Sequence, residues 1–258
     1  MVKLFVAERR NKIMEILNKN QRLTVKELAK EIDVSEATLR SDLNQMEKEG
    51  LLTRTHGGAV LTDYIENETS FSTRKKKNKQ EKMHIASQAV QLITDGQCVL
   101  FDASSTVLEL ARLLKRGKKR LTVVTSGIYT ALELRDHPDI TVILLGGVVR
   151  TGSSSLEGTL GVDVLNKINV DAMFTSANGF TFDTGLTDFN IYEVELKREM
   201  LKKASKVVAL VDHTKIGKSS IASFADVSQV DTFITDAHFS DEEIAQFNHF
   251  GVEVTTTS

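Results

Sequence analysis

Residues 34–60 read VSEATLRSDLNQMEKEGLLTRTHGGAV. Leu39, Leu43 and Met46 recur at i, i+4 and i+7, which predicts a helix with one apolar stripe turned inward. Ser35 stands just ahead of it as the expected N-cap. Successive helical residues lie about 100° apart, so Ala37, Arg40, Ser41, Asn44 and Lys48 fall on the opposite face. That face is small, polar and cationic, and Arg and Asn are the side chains that form paired hydrogen bonds with guanine and adenine edges in the major groove. Gly50 is placed to end the helix. Leu51-Leu52-Thr53-Arg54 then reads as a short strand, which His56-Gly57-Gly58 turns back into Ala59-Val60. Helix, strand, glycine turn and strand make a winged arrangement, with the helix as its recognition element.

The residues before this stretch add a second helix. Thr24-Val25-Lys26-Glu27 has the capping-box spacing, with Thr24 as N-cap and Glu27 at N3. Val25, Leu28, Ala29 and Ile32 are its inward residues, and Asp33-Val34-Ser35 forms a tight joint into the next helix. Two helices joined by a turn of about three residues are the helix-turn-helix signature. A first helix is expected over Ala7 to Leu17, with Ile13, Ile16 and Leu17 facing the core. Arg9, Arg10 and Lys12 surround that core, suited either to phosphates or to a solvated face.

The chain has 258 residues and a formal net charge of −2, which hides an asymmetry. Residues 1–80 carry 16 Lys/Arg against 12 Asp/Glu, whereas the remainder carries 17 against 23. A basic head on an acidic body fits DNA contact confined to one domain. The single cysteine, Cys98, lies in an apolar run and reads as core. No early apolar run approaches a signal segment or a membrane span, so a cytoplasmic protein with no membrane contact is expected. The six histidines are scattered without ligand spacing, and no metal or cofactor is expected.

Domain boundaries follow from these shifts: residues 1–60 as a winged helix-turn-helix domain, 61–80 as a linker, and 81–258 as an effector-binding and oligomerisation domain. The linker rests on the polar stretch Asp63–Lys79, which ends in Arg74-Lys75-Lys76-Lys77-Asn78-Lys79. Beyond it, helical stretches alternate with apolar strands at Gln97–Phe101, Leu121–Val124, Ile140–Leu145, Val170–Thr175 and Lys206–Val211. This alternation predicts an α/β fold with a doubly wound, mostly parallel sheet buried on both faces.

Several strands end in similar chemistry: Asp102-Ala103-Ser104-Ser105-Thr106, Thr125-Ser126, Gly146-Gly147, Asn178-Gly179 and Asp212-His213-Thr214-Lys215. In open α/β sheets ligands bind beyond the carboxyl ends of the strands. Ser104, Ser105 and Thr106 at a helix start offer hydroxyls and N–H groups to an anion. Gly146 and Gly147 permit close backbone approach, and Lys215 supplies positive charge. This set suggests a phosphorylated sugar or polyol. The plainer reading of any one of these turns is a helix cap.

Two segments of the head, Thr38-Leu39-Arg40-Ser41-Asp42-Leu43 and Gly50-Leu51-Leu52-Thr53-Arg54-Thr55-His56-Gly57-Gly58-Ala59, closely resemble the signature of the DeoR family of bacterial repressors. In that family a second Arg usually stands where this chain has Ser41. The resemblance implies operator DNA contact by Thr24, Ser35, Ala37, Thr38, Arg40, Ser41, Asn44, Arg54, His56 and Gly57. The body resembles the same family's sensor domain, similar to sugar-phosphate isomerases and CoA transferases, through the strand-end segments above. It implies a sugar-phosphate effector held by Asp102, Ser104, Ser105, Thr106, Thr125, Ser126, Gly146, Gly147, Asn178, Gly179, Asp212 and Lys215. Ala177-Asn178-Gly179-Phe180 with Gly185-Leu186-Thr187 is most similar to the fructose-operon branch, whose implied effector is fructose 1-phosphate.

The resulting expectation is a repressor of a sugar-utilisation operon, not an enzyme, acting as a homodimer or homotetramer. Two alternatives stand beside it: an isomerase-like enzyme with an appended DNA-binding head, and a scaffold with an idle pocket. An isomerase needs a base over the carbon that loses its proton. Asp102, Asp188, Glu193, Glu195 and Asp212 are carboxylates near the expected rim. Glu193 and Glu195 share a helix with Lys197 and Arg198, where solvent-facing ion pairs are the plain reading.

Overall fold

A computed structural model describes residues 6–20, 22–48, 51–55, 58–61, 70–150 and 153–257. The chain divides into two compact units, Met1–Arg74 and Lys75–Ser258.

In the first unit the helices are α1 (Val6–Asn20), α2 (Val25–Ile32) and α3 (Glu36–Lys48), and the strands are β1 (Arg22–Thr24), β2 (Leu52–Thr55) and β3 (Gly58–Leu61). The apolar stripe on α3 is buried as its spacing requires. Leu39, Leu43 and Met46 are fully enclosed with Ile13, Leu17 and Leu28 in one cluster. Burying each such side chain stabilises by about 1.5–3 kcal/mol. The capping box forms: Glu27 N–H donates to Thr24 Oγ1 at 3.2 Å, and Thr24 N–H donates to Glu27 Oε2 at 2.8 Å. Between α2 and α3, Asp33 takes φ 60°, ψ 53° and its N–H closes the helix on the Ala29 carbonyl. Asp tolerates this left-handed conformation better than most residues, so the tight joint is set locally.

The wing has three strands where the sequence suggested two. The order is β1-β3-β2, antiparallel throughout, with Thr24 opposite Gly58. A three-residue strand is too short to show a period, so Arg22-Leu23-Thr24 read only as a helix lead-in. Gly58 is required here, because a Cβ on it would lie 2.1 Å from the Leu23 carbonyl oxygen. The stretch assigned to a linker also differs. Residues Phe71–Lys76 form a helix, α4, with Phe71 buried and the Arg74 guanidinium 5.6 Å from its ring centroid. Gly50, the turn at His56-Gly57 and residues 62–69 lie outside the described residues.

The second unit continues with α5 (Lys79–Ala89), β4 (Cys98–Phe101), α6 (Ser105–Leu114), β5 (Leu121–Thr125), α7 (Ile128–Leu134), β6 (Ile140–Leu144) and α8 (Val162–Leu165). Next come β7 (Ala172–Thr175), β8 (Gly179–Thr181), β9 (Gly185–Asp188), α9 (Ile191–Leu201), β10 (Val207–Leu210), β11 (Ala222–Ala225), β12 (Thr232–Thr235), α10 (Asp241–His249) and β13 (Glu253–Thr256). Seven strands build a fully parallel sheet of order β13-β12-β10-β7-β4-β5-β6. Strands β11, β9 and β8 form a small antiparallel sheet.

Side chains alternate across the main sheet. Val99, Phe101, Val123 and Phe174 join α5 and α6 in one cluster, while Leu100, Val124, Met173 and Phe233 join α9 and α10 in another. Both faces are therefore covered, as the near-continuous apolar strands predicted. Because β4 leads first to β5 and β6 and the chain then returns to β7, the strand order reverses between β4 and β7. That reversal leaves a crevice at their carboxyl ends.

Candidate functional site

The first site is the outer face of α3. Ala37, Thr38, Arg40, Ser41 and Asn44 are all exposed. The Arg40 guanidinium pairs with Glu36 Oε2 at 2.6 Å, one turn back on the same face. An exposed pair of this kind is worth about 0–1 kcal/mol, so Arg40 can exchange it for a base edge at little cost. Ser35 Oγ accepts the Thr38 N–H at 3.1 Å and caps the helix, and Thr24 serves the same purpose for α2. Arg54 sits in β2, while His56 and Gly57 lie outside the described residues. Arg9 is not a free phosphate ligand. It holds the buried Asp42 through Nε at 2.5 Å and Nη2 at 3.1 Å, a two-point pair that locks α1 to α3. Arg40→Ala should reduce the preference for operator over random DNA by about 1–3 kcal/mol. Competition binding at fixed salt measures this, and an unchanged preference would remove Arg40 from base recognition.

The second site lies in the crevice between β4 and β7. Asp102, fully buried at the end of β4, accepts Ser104 N–H at 2.9 Å on Oδ1, and Thr175 Oγ1 at 2.7 Å and Ser176 N–H at 2.9 Å on Oδ2. Lys197 Nζ lies 3.0 Å from the same Oδ2. That ammonium also donates to Asp188 Oδ2 and to the Ser176 carbonyl, both at 2.8 Å, and sits 4.5 Å from the Phe224 ring centroid. Burial pushes the Asp102 carboxyl up, but the Lys197 charge and its hydrogen bonds outweigh this and hold it below the usual carboxylate range. Burial pulls Lys197 down, and Asp102, Asp188 and Glu193 together raise it above the ordinary lysine value.

A second set of groups continues from the first. Ser155 Oγ donates to Glu193 Oε1 at 2.9 Å, Asn190 Nδ2 to Glu157 Oε1 at 2.8 Å, and Arg150 Nε to Glu157 Oε2 at 2.6 Å. Segment 153–157 folds across the ends of β4 and β5, with Leu156 N–H on the Ser126 carbonyl at 2.8 Å and Ile128 N–H on the Ser154 carbonyl at 2.9 Å. The buried Ser154 hydroxyl reaches the Ala103 carbonyl just past β4 at 3.5 Å, while that of Ser155 is turned to Glu193.

The expected strand-end residues separate into two groups. Asp102, Ser104, Ser105, Thr106, Thr125 and Ser126 are all buried around the crevice. Ser104 Oγ is occupied in capping α6 at Val107 N–H, 3.2 Å, and Thr125 Oγ1 accepts Gly127 N–H at 3.0 Å. Asn178, Gly179, Asp212 and Lys215 gather farther along, joined by Lys215 Nζ donating to Asn178 Oδ1 at 3.2 Å and by Asn78 Nδ2 donating to Asp212 Oδ1 at 2.9 Å. Gly146 and Gly147 are approached closely by the chain itself: a Cβ on Gly147 would meet the Glu157 carbonyl oxygen at 2.7 Å, and one on Gly161 would meet the Gly146 oxygen at 2.5 Å.

For Glu193, a carboxylate expected near the rim, and for its helix neighbour Lys197, the plain alternative was a solvent-facing ion pair, and the structure sets that alternative aside. Both are buried, one turn apart on the inner face of α9, while Glu195 and Arg198 face solvent. The available signal was the i, i+4 spacing of Glu193 and Lys197, which is equally at home on a surface. Ser155, Glu157 and Ser176 were not singled out by the sequence, whereas Asp188 was expected near the rim. Among the described residues, no cluster of three or more His, Cys, Asp or Glu is arranged to hold a metal ion.

Comparison with known proteins bears on both units. Residues 9–64 match the DeoR-like helix-turn-helix domain, and residues 77–237 match the DeoR C terminal sensor domain. The chain is 47% identical over 251 residues to the HTH-type transcriptional regulator GolR of Listeria innocua, covering 97% of this chain and 98% of that one. It is 30% identical to the glycerol-3-phosphate regulon repressor of Escherichia coli, covering 89% and 90% of the two chains. Ribose 5-phosphate isomerase A from Methanocaldococcus jannaschii is similar at 18% identity with a TM-score of 0.41, over 54% of this chain and 55% of that one.

Proposed function

The chain belongs to the DeoR family of transcriptional regulators, and from that premise we propose that it represses a bacterial sugar-utilisation operon in the cytoplasm. In this reading a phosphorylated sugar, bound at the carboxyl ends of β4, β5 and β7, sets operator affinity. The supporting observation is the buried cluster of Lys197, Asp102 and Asp188 at the reversal of strand order. Carboxylates accept from sugar hydroxyls, serine hydroxyls serve as donor or acceptor, and the start of α6 offers N–H groups to a phosphate. The enzyme alternative requires a carboxylate poised as a base near neutral pH. The Lys197 charge and its hydrogen bonds instead hold the Asp102 carboxyl below its ordinary value.

Control of DNA binding requires that the effector favour one arrangement of the protein over another. A coupling of about 1–3 kcal/mol changes operator affinity roughly 5- to 150-fold. Helix-turn-helix proteins bind paired half-sites about one helical turn apart, which fits a homodimer or a pair of dimers. Fructose 1-phosphate is the first effector to test, followed by glycerol 3-phosphate, the compound named by the Escherichia coli relative.

The test is a thermal-shift series with each phosphate beside its unphosphorylated parent. A ligand at 100 times its dissociation constant adds about 2.7 kcal/mol to stability. One phosphate should raise the melting temperature of the α/β unit while its parent sugar does not. Equal shifts from both would remove the anion from the proposal, and no shift across the series would remove the effector site.

A further inference from the structure

Two basic stretches far apart in sequence meet on one surface of the α/β unit. Residues 75–79 and 112–120 carry ten Lys/Arg and no Asp/Glu, in a chain whose overall charge is −2. They converge on a groove of about 310 Å³ between the α4–α5 segment and the end of α6. The groove is lined by Lys75, Lys76, Lys79, Arg112 and Arg116, with Met83, Leu113 and one carboxylate, Glu109, among them.

Part of this charge is already balanced. Arg112 is held by Glu109 at 2.5 Å and by Glu133 at 3.6 Å, and Lys115 pairs with Glu133 at 3.1 Å. Lys75 Nζ lies 5.8 Å from the Tyr129 ring centroid. Among the described residues, no carboxylate is within 4.0 Å of Lys76, Lys79 or Arg116. All three are exposed, and Lys118 and Arg120 carry exposed charge onward from Arg116. Like charges kept together on a surface self-repel unless a polyanion neutralises them. A single small phosphate would call for convergent buried donors, whereas these cations are solvated and spread over α4, the start of α5 and the segment that follows α6. That distribution suits a backbone with phosphates at regular intervals.

We propose that this groove is a second DNA contact, binding the sugar-phosphate backbone of duplex flanking the half-site held by the helix-turn-helix head. The inference rests on the DNA-binding reading of the head. Chain length permits it: nine residues, 62–70, separate the end of β3 at Leu61 from α4 at Phe71, a reach of at most about 36 Å. Such contacts fix position and add affinity without reading sequence.

The experiment compares the full-length protein with a variant carrying Lys75→Gln, Lys76→Gln, Lys79→Gln and Arg116→Gln. Binding is measured on a random 60-bp duplex and on a random 12-bp duplex that one head fills, across a salt series. Each phosphate contact contributes about 0.9 to the slope of log affinity against log salt. On the long duplex the wild type should therefore lose roughly 100-fold more affinity than the variant between about 50 and 200 mM salt. On the short duplex the two should respond alike. Equal slopes on the long duplex would overturn the groove contact while leaving the head's role intact. A wild-type protein that binds neither duplex would instead overturn the DNA-binding reading itself. A change in sedimentation of the variant would identify the groove as a protein interface and also overturn the proposal. Arg40→Ala, as control, should leave the difference between long and short duplex unchanged.

Discussion

Replacing Lys197 by methionine is expected to destabilise the α/β unit by about 3–5 kcal/mol, the range for breaking a buried ion pair from one side. The methionine fills much of the same volume, but Asp102 and Asp188 are left buried without the ammonium that lies 3.0 and 2.8 Å away. The effect should also reverse the acid dependence of stability. In the wild type the folded Asp102 carboxyl lies below its ordinary value. It therefore stabilises above an unfolded value of about 3.9, and that contribution is lost as pH falls through the lower folded value. Lys197 is raised, so its contribution holds below the unfolded lysine value and is lost only at strongly alkaline pH. Without the lysine, burial, which is the largest influence on Asp102, dominates and its carboxyl rises above its unfolded value. Lys197→Met should then gain stability relative to the wild type as pH is lowered from 7 toward 5. Urea unfolding at several pH values measures both effects. A loss below 1 kcal/mol with an unchanged pH profile would mean that the cluster is solvated and not the buried network described above.

Leu43→Ala should abolish DNA binding by the head while leaving the α/β unit folded. Leu43 is fully enclosed among the helices of the head, and Leu→Ala at such a position costs about 2–5 kcal/mol. A domain of about 60 residues buries a smaller fraction of its surface than a larger one, about 60%, and is only marginally stable. The loss is therefore comparable to the stability available. Calorimetry should show the head transition lowered or missing, with the transition of residues 75–258 in place. Binding to a random duplex should fall with the head. A variant with both transitions and DNA affinity intact would show that the α3 stripe does not hold the domain together. The same variant would separate the head from the basic groove, since residual salt-dependent binding would have to come from the second unit.

The helix-turn-helix could be read from the chain because its determinants are local. The capping box at Thr24 and Glu27, the Asp33 joint and the Leu39, Leu43 and Met46 stripe each act within one or two helical turns. The parallel sheet was legible for a related reason: strands buried on both faces must be apolar at every position, as Val99, Leu100 and Phe101 are. Strand β1 was hidden because three residues show no period, and its existence depends on Gly58 admitting the Leu23 backbone. The helix α4 was hidden under charge, since a run of lysines reads as solvated chain whether or not it is helical.

The candidate pocket divides along the same line. By itself the sequence determined that strands would end in Asp102, Ser104 and Thr125, because a residue just past an apolar run must sit at a strand end. It did not determine which of those ends would meet, nor that Lys197 would enter among them. Only the tertiary structure decided this. The reversal of strand order between β4 and β7 opens the crevice, and the pairing of β9 with β8 and β11 carries Asp188 to it. One turn separates Glu193 from Lys197 on α9, a spacing that stabilises a charge pair on any helix. Whether that face meets water or a buried carboxylate depends on strands more than 70 residues apart, as Asp102 and Ser176 are, and no local pattern records such contacts.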